Sequence, residues 1–429
     1  MSVPLDRLYN HLDGLCNHDI LIYRFYPYGS KKLKSLKELR EYFKSDWFWC
    51  ITRPNIVCYD QEPLNFKMYT HQQVIDAISP ASNELVEKFT RWFDHMNLRV
   101  MLTNRHSLYN LTMIVHSEKN STNLEEYEQA GFIGIYWWAH AAISADWFRY
   151  AKHDPTLAIN FEKINQDFLV YNRAWSGTRE YRLKFTELIV NLELQDYCLM
   201  RFNPECDKNN YHNFVPTNIS LAVSRLDIEK YFEPSSATAD ASADYDNTDY
   251  QQIAIEVVLE TLFDDSRWHL TEKSLRPIAC GRPFILAATA GSLQYLRSYG
   301  FETFGKFIDE SYDTITDPAT RLDSICREMQ RIARLPQEQK HQLWQELYAI
   351  AYRNQQLFFS DTWQQGIFDE FVDNYNQARK TVDQHVSTSY WEHIKEVNFE
   401  QCPPTARMIR NLKVSLDNFD QIQDWIASR

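Results

Sequence analysis

A chain of 429 residues is long enough for two or three domains, and a content of 44% hydrophobic and 24% charged residues excludes a disordered or fibrous protein. The formal net charge of -13 opposes the phosphate backbone of long nucleic acid, whereas a small phosphate ligand needs only a few well-placed Arg or Lys side chains. With 25 Phe, 25 Tyr and 12 Trp but only 10 Gly, the chain has large side chains to bury and few flexible points.

In chain order, DILIYRFYPYG (Asp19 to Gly29) reads as a buried strand and turn, followed by KSLKELREYF with helical periodicity. NIVCYDQEP (Asn55 to Pro63) is a short apolar strand ending in a polar loop, and Gln72 to Met96 reads as helices. LRVMLTN and LTMIVHSEKN each read as a strand followed by polar residues, and IGIYWWAHAA is a further apolar segment. Strands alternating with helices predict an α/β domain over residues 1–160.

A second unit opens at DFLVYNRAWSGTREYRLKFTELIV: a strand from Asp167 to Tyr171, a polar turn from Asn172 to Gly177 and a helix from Arg179 to Leu192. Such a strand–loop–helix unit is the usual place for a ligand loop in a doubly wound sheet. EPSSATADASADYDNTDY (Glu233 to Tyr250) lacks apolar periodicity and predicts a flexible surface insertion. The strand–helix pattern returns in QIAIEVVLETLF, TEKSLRPIACG, PFILAAT and GSLQYLRSYG. DSICREMQRIARL and EQKHQLWQELYAIAYRNQQLFF then predict long amphipathic helices. The expected division is 1–160, 161–330 with the insertion at 233–250, and a helical extension over 331–429 packing across both domains.

The eight cysteines include no CxxC pair, and several lie among apolar residues, which predicts buried thiols in a reducing compartment. MSVPLDRLYNHL lacks the basic and apolar regions of a signal peptide, and no apolar run reaches membrane-spanning length. A cytoplasmic protein without membrane insertion is expected.

Several residue groups have both a structural and a chemical reading. Thr271 is placed to cap a helix and Glu272 to favour its first turn; alternatively Glu272 accepts hydrogen bonds from the vicinal hydroxyls of a ribose or sugar, with Lys273 meeting a phosphate. Arg173, Arg179 and Arg182 surround the turn after the second unit's first strand, as a solvated helix face or as a diphosphate clamp centred on Arg173 and Arg179. Asp60 and Glu62 end an apolar strand, and each is either part of a turn or a base for an acceptor hydroxyl. His116 and Glu118 follow a strand in HSEKN, with His116 a second candidate base and His140 a further one. Trp137 and Trp138 read as core or as a platform for a sugar ring. Asp309, Glu310 and Asp313 form either a charged turn within reach of Arg321 or contacts to an acceptor or cation. No metal-ligand spacing stands out.

The stretch VLETLFDDSRWHLTEKSLRPIACGRPFIL resembles the donor-binding region of fucosyltransferases with the two-domain GT-B fold, in which a Glu-Asn-Ser stretch precedes a Thr-Glu-Lys stretch, a helix, a Gly and an apolar strand. Glu260 and Thr261 take the first place and Thr271, Glu272 and Lys273 the second; the chain departs where Thr261 and Leu262 replace Asn-Ser. Most of the chain also resembles proteins of tailed bacteriophages that carry YDQEP, HSE and TEK segments in this order, and so implies the host cytoplasm. The first resemblance implies two Rossmann-like domains and a glycosyltransferase that takes a nucleotide-sugar as substrate. Its acceptor would be a hydroxyl group on a glycan, a modified DNA base or a protein. Without a DxD pair among apolar residues, Arg and Lys take the electrostatic role of a cation, and no cofactor is expected. The alternative is an inactive carbohydrate- or protein-binding protein on a transferase-like fold. A phosphate-ester hydrolase is disfavoured by the absence of a Walker segment, GxSxG or paired-metal pattern.

Overall fold

The computed structural model of the chain describes residues 21–23, 56–60, 112–122, 124–125, 133–150, 160–172, 179–202 and 245–386. They form an α/β structure with two parallel four-stranded sheets. The chain's contacts divide it into two compact units: Ser117–Ser121 with Trp138–Asp369, and Ser2–His116 with Thr122–Trp137 and Glu370–Arg429. Among the described residues the helices are α1 (Ala139–Tyr150), α2 (Tyr181–Asn191), α3 (Asn247–Gln252), α4 (Glu272–Ala279), α5 (Ser292–Ser298), α6 (Pro318–Ala333), α7 (Gln337–Phe358) and α8 (Asp361–Val386).

One unit holds the first sheet, in which β1 (Leu21–Tyr23), β2 (Ile56–Asp60), β3 (Thr112–His116) and β4 (Ile133–Tyr136) lie in chain order. All three pairings are parallel, and the register sets Asp60 beside His116 and His116 beside Tyr136. Parallel neighbours require crossover connections, which accounts for the long segments between these short strands. Trp137, fully buried, donates its backbone N–H to His116 O at 3.0 Å and packs on Phe371 of α8 at 5.0 Å. Asn374 of α8 donates to Tyr136 O at 2.8 Å.

The other unit holds the second sheet: β5 (Gln166–Asn172), β6 (Cys198–Phe202), β7 (Ile253–Leu259) and β8 (Phe284–Ala287), ordered β6-β5-β7-β8 and parallel throughout. The chain runs outward from β5 to β6 and then from β7 to β8 in the opposite direction. Chain order therefore reverses between β5 and β7. β7 reads IAIEVVL and is buried at every residue, the continuous apolar run of a strand covered on both faces. Its one charged residue, Glu256, is paired with Arg276 of α4 and accepts a hydrogen bond from Tyr250 of α3. Arg276 also lies over the Tyr171 ring, 4.7 Å from its centroid. Tyr171 in turn donates to Asp249 at 3.0 Å, and Asp249 also receives Arg201 of β6.

Helix α1 packs against α4, and α4 against α7. The residue-160 boundary expected from the sequence therefore falls inside the second-sheet unit, which takes in α1. α6 begins with Asp317 accepting from Thr320 N at 2.8 Å and Pro318 in the first turn, then buries Leu322, Ile325, Met329 and Ile332 at helical spacing. α4 ends at Gly281 (φ +60°), where a Cβ would approach Gln355 Oε1 of α7 to 3.1 Å; Gln355 Nε2 caps Ala279 O at 2.8 Å.

Two expectations change. β6, with the sequence CLMRF, is a strand additional to those expected. Residues 233–244 of the insertion lie outside the described residues, but its end is packed structure: Tyr245, Asp249 and Tyr250 are buried, and Asp246 caps α3 through Thr248 N at 2.7 Å. Of the two readings of Trp137 and Trp138, the core one holds: both are buried, with Trp138 packed among Tyr295, Tyr299 and Trp363 and donating to Leu270 O at 2.8 Å. The segments KSLKELREYF, 72–96 and LRVMLTN also lie outside the described residues. No described helix is long and apolar enough to cross a membrane.

Removing one partner from a buried ion pair strands the other charge, at a cost of about 3–5 kcal/mol. Arg276→Met is expected to lower the urea midpoint accordingly, and Glu256→Leu combined with Arg276→Met to recover part of the loss. An unchanged midpoint in the single variant would show that Glu256 does not depend on Arg276.

Candidate functional site

In an open parallel sheet, ligands gather outside the carboxyl ends of the strands where chain order reverses. In the second-sheet unit this edge lies beyond Asn172 of β5 and Leu259 of β7. The Asn172 amide donates to Arg182 O and Thr186 Oγ1, both at 3.1 Å, while its buried Oδ1 has no hydrogen-bond partner among the described residues. The first turn of α2 is tied to the same edge. Arg182 Nη2 donates to Leu259 O at 2.7 Å and to Glu260 O at 3.1 Å, and the Tyr181 hydroxyl donates to Glu260 O at 2.6 Å. Arg182 is thus a buried brace for β7 rather than part of a phosphate clamp. Arg179 occupies the turn just before α2 and is partly exposed; Arg173 lies outside the described residues.

Glu260, fully buried, is the centre of the site. Its carboxylate accepts from Thr261 N (2.9 Å), Thr271 N (2.8 Å), Thr271 Oγ1 (3.0 Å), Ser274 N (3.3 Å) and Ser274 Oγ (2.7 Å). It is therefore the internal anion of the α4 N-terminus, where unpaired N–H groups and the helix dipole favour negative charge. Burial works against the charged form, but the Lys273 ammonium 3.7 Å away and the hydrogen bonds from Thr271 and Ser274 outweigh it, so the carboxyl is held below the usual range.

Thr271 is the N-cap of α4, as its position in the sequence implies. Lys273 Nζ donates to Thr271 Oγ1 at 2.7 Å and to Glu272 Oε1 at 3.1 Å. Glu272 is the more open carboxylate, with 18% of its side chain exposed against none for Glu260. Its Oε2 stands 3.6 Å from His140 Nδ1 of α1. His140 meets the His269 ring edge-on at 4.9 Å, and burial followed by the proximity of His140 pushes His269 down to about 3, so it is neutral near neutral pH. The sequence reading did not single out His269, Ser274 or Arg267. Only Ser274, three residues after a capping Thr, had a legible signal.

Glu260 and the Thr271–Lys273 segment, linked by resemblance alone in the sequence, are in direct contact. Glu118 also reaches this neighbourhood. It is buried and accepts from Arg267 Nη1 at 2.8 Å. Asp60 and His116 are register neighbours at the carboxyl ends of β2 and β3 in the first-sheet unit, where His116 is fully buried. Glu62 lies outside the described residues.

Of the DESYD carboxylates, Glu310 and Asp313 are internal fasteners, whereas Asp309 is exposed and accepts from Ser311 N at 3.0 Å. Asp313 accepts from Leu293 N (3.1 Å) and Gln294 N (3.3 Å) at the start of α5. Glu310 accepts from Thr303 Oγ1 (2.7 Å) and Phe304 N (2.6 Å). Arg321 binds the carbonyls of Ile315 and Thr316 at 2.6 and 3.1 Å, together with that of Phe263. Among the described residues, no group of three His, Cys, Asp or Glu side chains is placed to hold a metal ion. Compared with protein-family models, curated proteins and solved structures, the chain gives no match.

Glu260→Gln turns an amide N–H2 toward the donors of Thr271 and Ser274, a mismatch worth about 2–3 kcal/mol. Because the folded carboxyl titrates below its unfolded value of 4.5, its contribution is complete above that pH and is lost as pH falls through the lower folded value. The melting-temperature gap between wild type and Glu260→Gln is therefore expected to be full at neutral pH and to shrink below about pH 4.5. A gap independent of pH would contradict an ionised Glu260.

Proposed function

We propose that the chain is a glycosyltransferase whose second-sheet unit receives a nucleotide-sugar at the carboxyl edge of β5 and β7, with the two sheets forming the Rossmann-like halves of a GT-B fold. The observation that carries this reading is the reversal of chain order between β5 and β7, with the Arg179 turn following one strand and the Glu260–Lys273 segment the other. Edges of this kind suit anionic cofactors and nucleotides.

Within this reading Glu260 does not touch the donor, because its oxygens already serve Thr261, Thr271 and Ser274. It holds α4 so that Glu272 and Lys273 face the ligand. Glu272 accepts from the vicinal hydroxyls of the ribose or sugar, and Lys273 meets the diphosphate, joined by Arg179 and Arg173. Asp60 or His116, neighbours in the first sheet, takes the proton of the acceptor hydroxyl, with Glu62 the third candidate. The transferred sugar forms a bond to the acceptor oxygen as its bond to the donor phosphate breaks; the nucleoside diphosphate leaves with its charge met by Lys273 and the arginines. The acceptor is a hydroxyl on a glycan, a modified DNA base or a protein. The burial of Trp137 and Trp138 weakens the alternative of a carbohydrate-binding protein with an exposed aromatic platform.

Glu272→Gln replaces one acceptor oxygen by a donor and is expected to weaken nucleotide-sugar binding roughly ten- to hundredfold in calorimetric titration, for a loss of about 1–3 kcal/mol. Its melting temperature should change little, because a first-turn carboxylate contributes only about 0.3–1 kcal/mol through the dipole. Unchanged affinity with a lowered melting temperature would reduce Glu272 to a helix-end charge and overturn the proposed donor contact.

A further inference from the structure

Resting on the reading of Thr271–Lys273 as a ligand turn, we propose that Glu118 is its positioning residue, acting through Arg267. The strap Ser117–Ser121 follows β3 in sequence but belongs to the second-sheet unit. It pairs with the segment before the turn through a closed antiparallel bridge: Lys119 N donates to Trp268 O, and Trp268 N to Lys119 O, both at 3.0 Å. Next to this bridge, buried Glu118 accepts from Arg267 Nη1 at 2.8 Å and from Ser121 Oγ at 3.3 Å. Lys119 Nζ lies 6.0 Å from the Trp268 ring centroid and 5.4 Å from that of Tyr295.

The far side of Trp268 is also fixed. Its Nε1 donates to Ala290 O at 2.9 Å, and its ring rests on Gly291 so closely that a Cβ there would come within 3.1 Å. Four residues beyond Arg267, Thr271 enters the grip of Glu260. Residues 267–271 are therefore held at one end by Glu118 together with the Lys119–Trp268 bridge and the Ala290 contact, and at the other by Glu260, with His269 between them and Glu272 and Lys273 immediately after. A segment fixed at both ends presents the next two side chains in one place. The same segment released at one end does not, and misplacement of this kind is what weakens ligand binding at sites otherwise left intact.

Glu118 can be removed without stranding Arg267, because Asp265 keeps Arg267 Nε at 2.9 Å and also pairs with its Nη2. Glu118→Ala therefore tests the strap rather than an orphaned charge. Glu118→Gln, whose oxygen still accepts from Arg267, is the conservative control.

Two readouts decide the matter in the full-length protein. The first is calorimetric affinity for uridine diphosphate and guanosine diphosphate, free and as their glucose conjugates. Glu118→Ala is expected to weaken binding roughly tenfold, Glu118→Gln to restore most of it, and Glu118→Ala to add no further loss in a Glu272→Gln background. The second is the titration of His269 by nuclear magnetic resonance of labelled histidine, assigned with His269→Gln. His269 faces His140, Glu118, Glu260 and Lys273, and burial is the main cause of its low value. If Glu118 holds the segment, its loss admits water and His269 titrates upward from about 3. If the segment stays in place without it, loss of a nearby anion drives His269 further down.

An upward shift together with weakened binding supports the proposal. A downward or absent shift, or unchanged affinity, overturns it. If wild type binds none of the four probes while His269 still shifts upward, the positioning of the turn stands and the transferase reading falls.

Discussion

A carboxylate withdrawn from water just past the end of an inner strand of a parallel sheet organises the second-sheet unit. Glu260 is tolerated there because five donors and a nearby ammonium replace its hydration. Its side chain fixes the N-terminus of α4, and its main-chain carbonyl receives Tyr181 and Arg182 from the start of α2. One residue thus joins β7 to two helices. α4 has only eight residues, too few to persist alone, so it depends on its packing against α1 and α7 and on the anion at its N-terminus.

The same solution recurs one strand further on, where Asp313 serves the first N–H groups of α5. The carboxyl edge of the second sheet is built largely from anions that the protein supplies to itself. That arrangement separates residues that resemble ligand contacts into two groups. Glu260, Arg182, Asp313 and Arg321 are bound to the protein's own backbone. Glu272 and Lys273, beside them, retain some exposure, and the functional proposal therefore falls on them. A carboxylate near a helix start is as well suited to holding the helix as to holding a ligand, and only burial tells the two apart.

The α/β character, β5, β7, β8, α4, α6 and α7 were legible through local signals: an apolar run such as IAIEVVL, a capping residue before a helix start as at Thr271, or leucine and isoleucine at helical spacing. The kinship of Glu260 with Thr271 was legible only through resemblance, since Thr271 lies 11 positions further on and no periodicity links such positions. The strap from Ser117 to Ser121 could not be read at all. Its partners Arg267 and Trp268 lie 149 positions away in the case of Glu118 and Arg267, and pairing across that span depends on the fold rather than on local preference. The Tyr245–Tyr250 segment was misjudged for a related reason. Its composition is that of a loop, yet Asp249 and Tyr250 are buried by partners on β5, β6 and β7 that composition does not reveal.

The packing of Trp138 has a consequence for the order in which the chain can fold. Its indole N–H finds its acceptor 132 residues later, at Leu270, and its ring partners begin later still, at Tyr295. Asp167 likewise waits for Lys340, 173 positions downstream. During synthesis, α1 and β5 therefore emerge with a large indole and an acidic group whose partners have not yet been made. Long-range closure of this kind is slow and leaves apolar surface open while it proceeds. The second-sheet unit is thus committed to folding late and as a whole, with its earliest helix dependent on its last ones for cover.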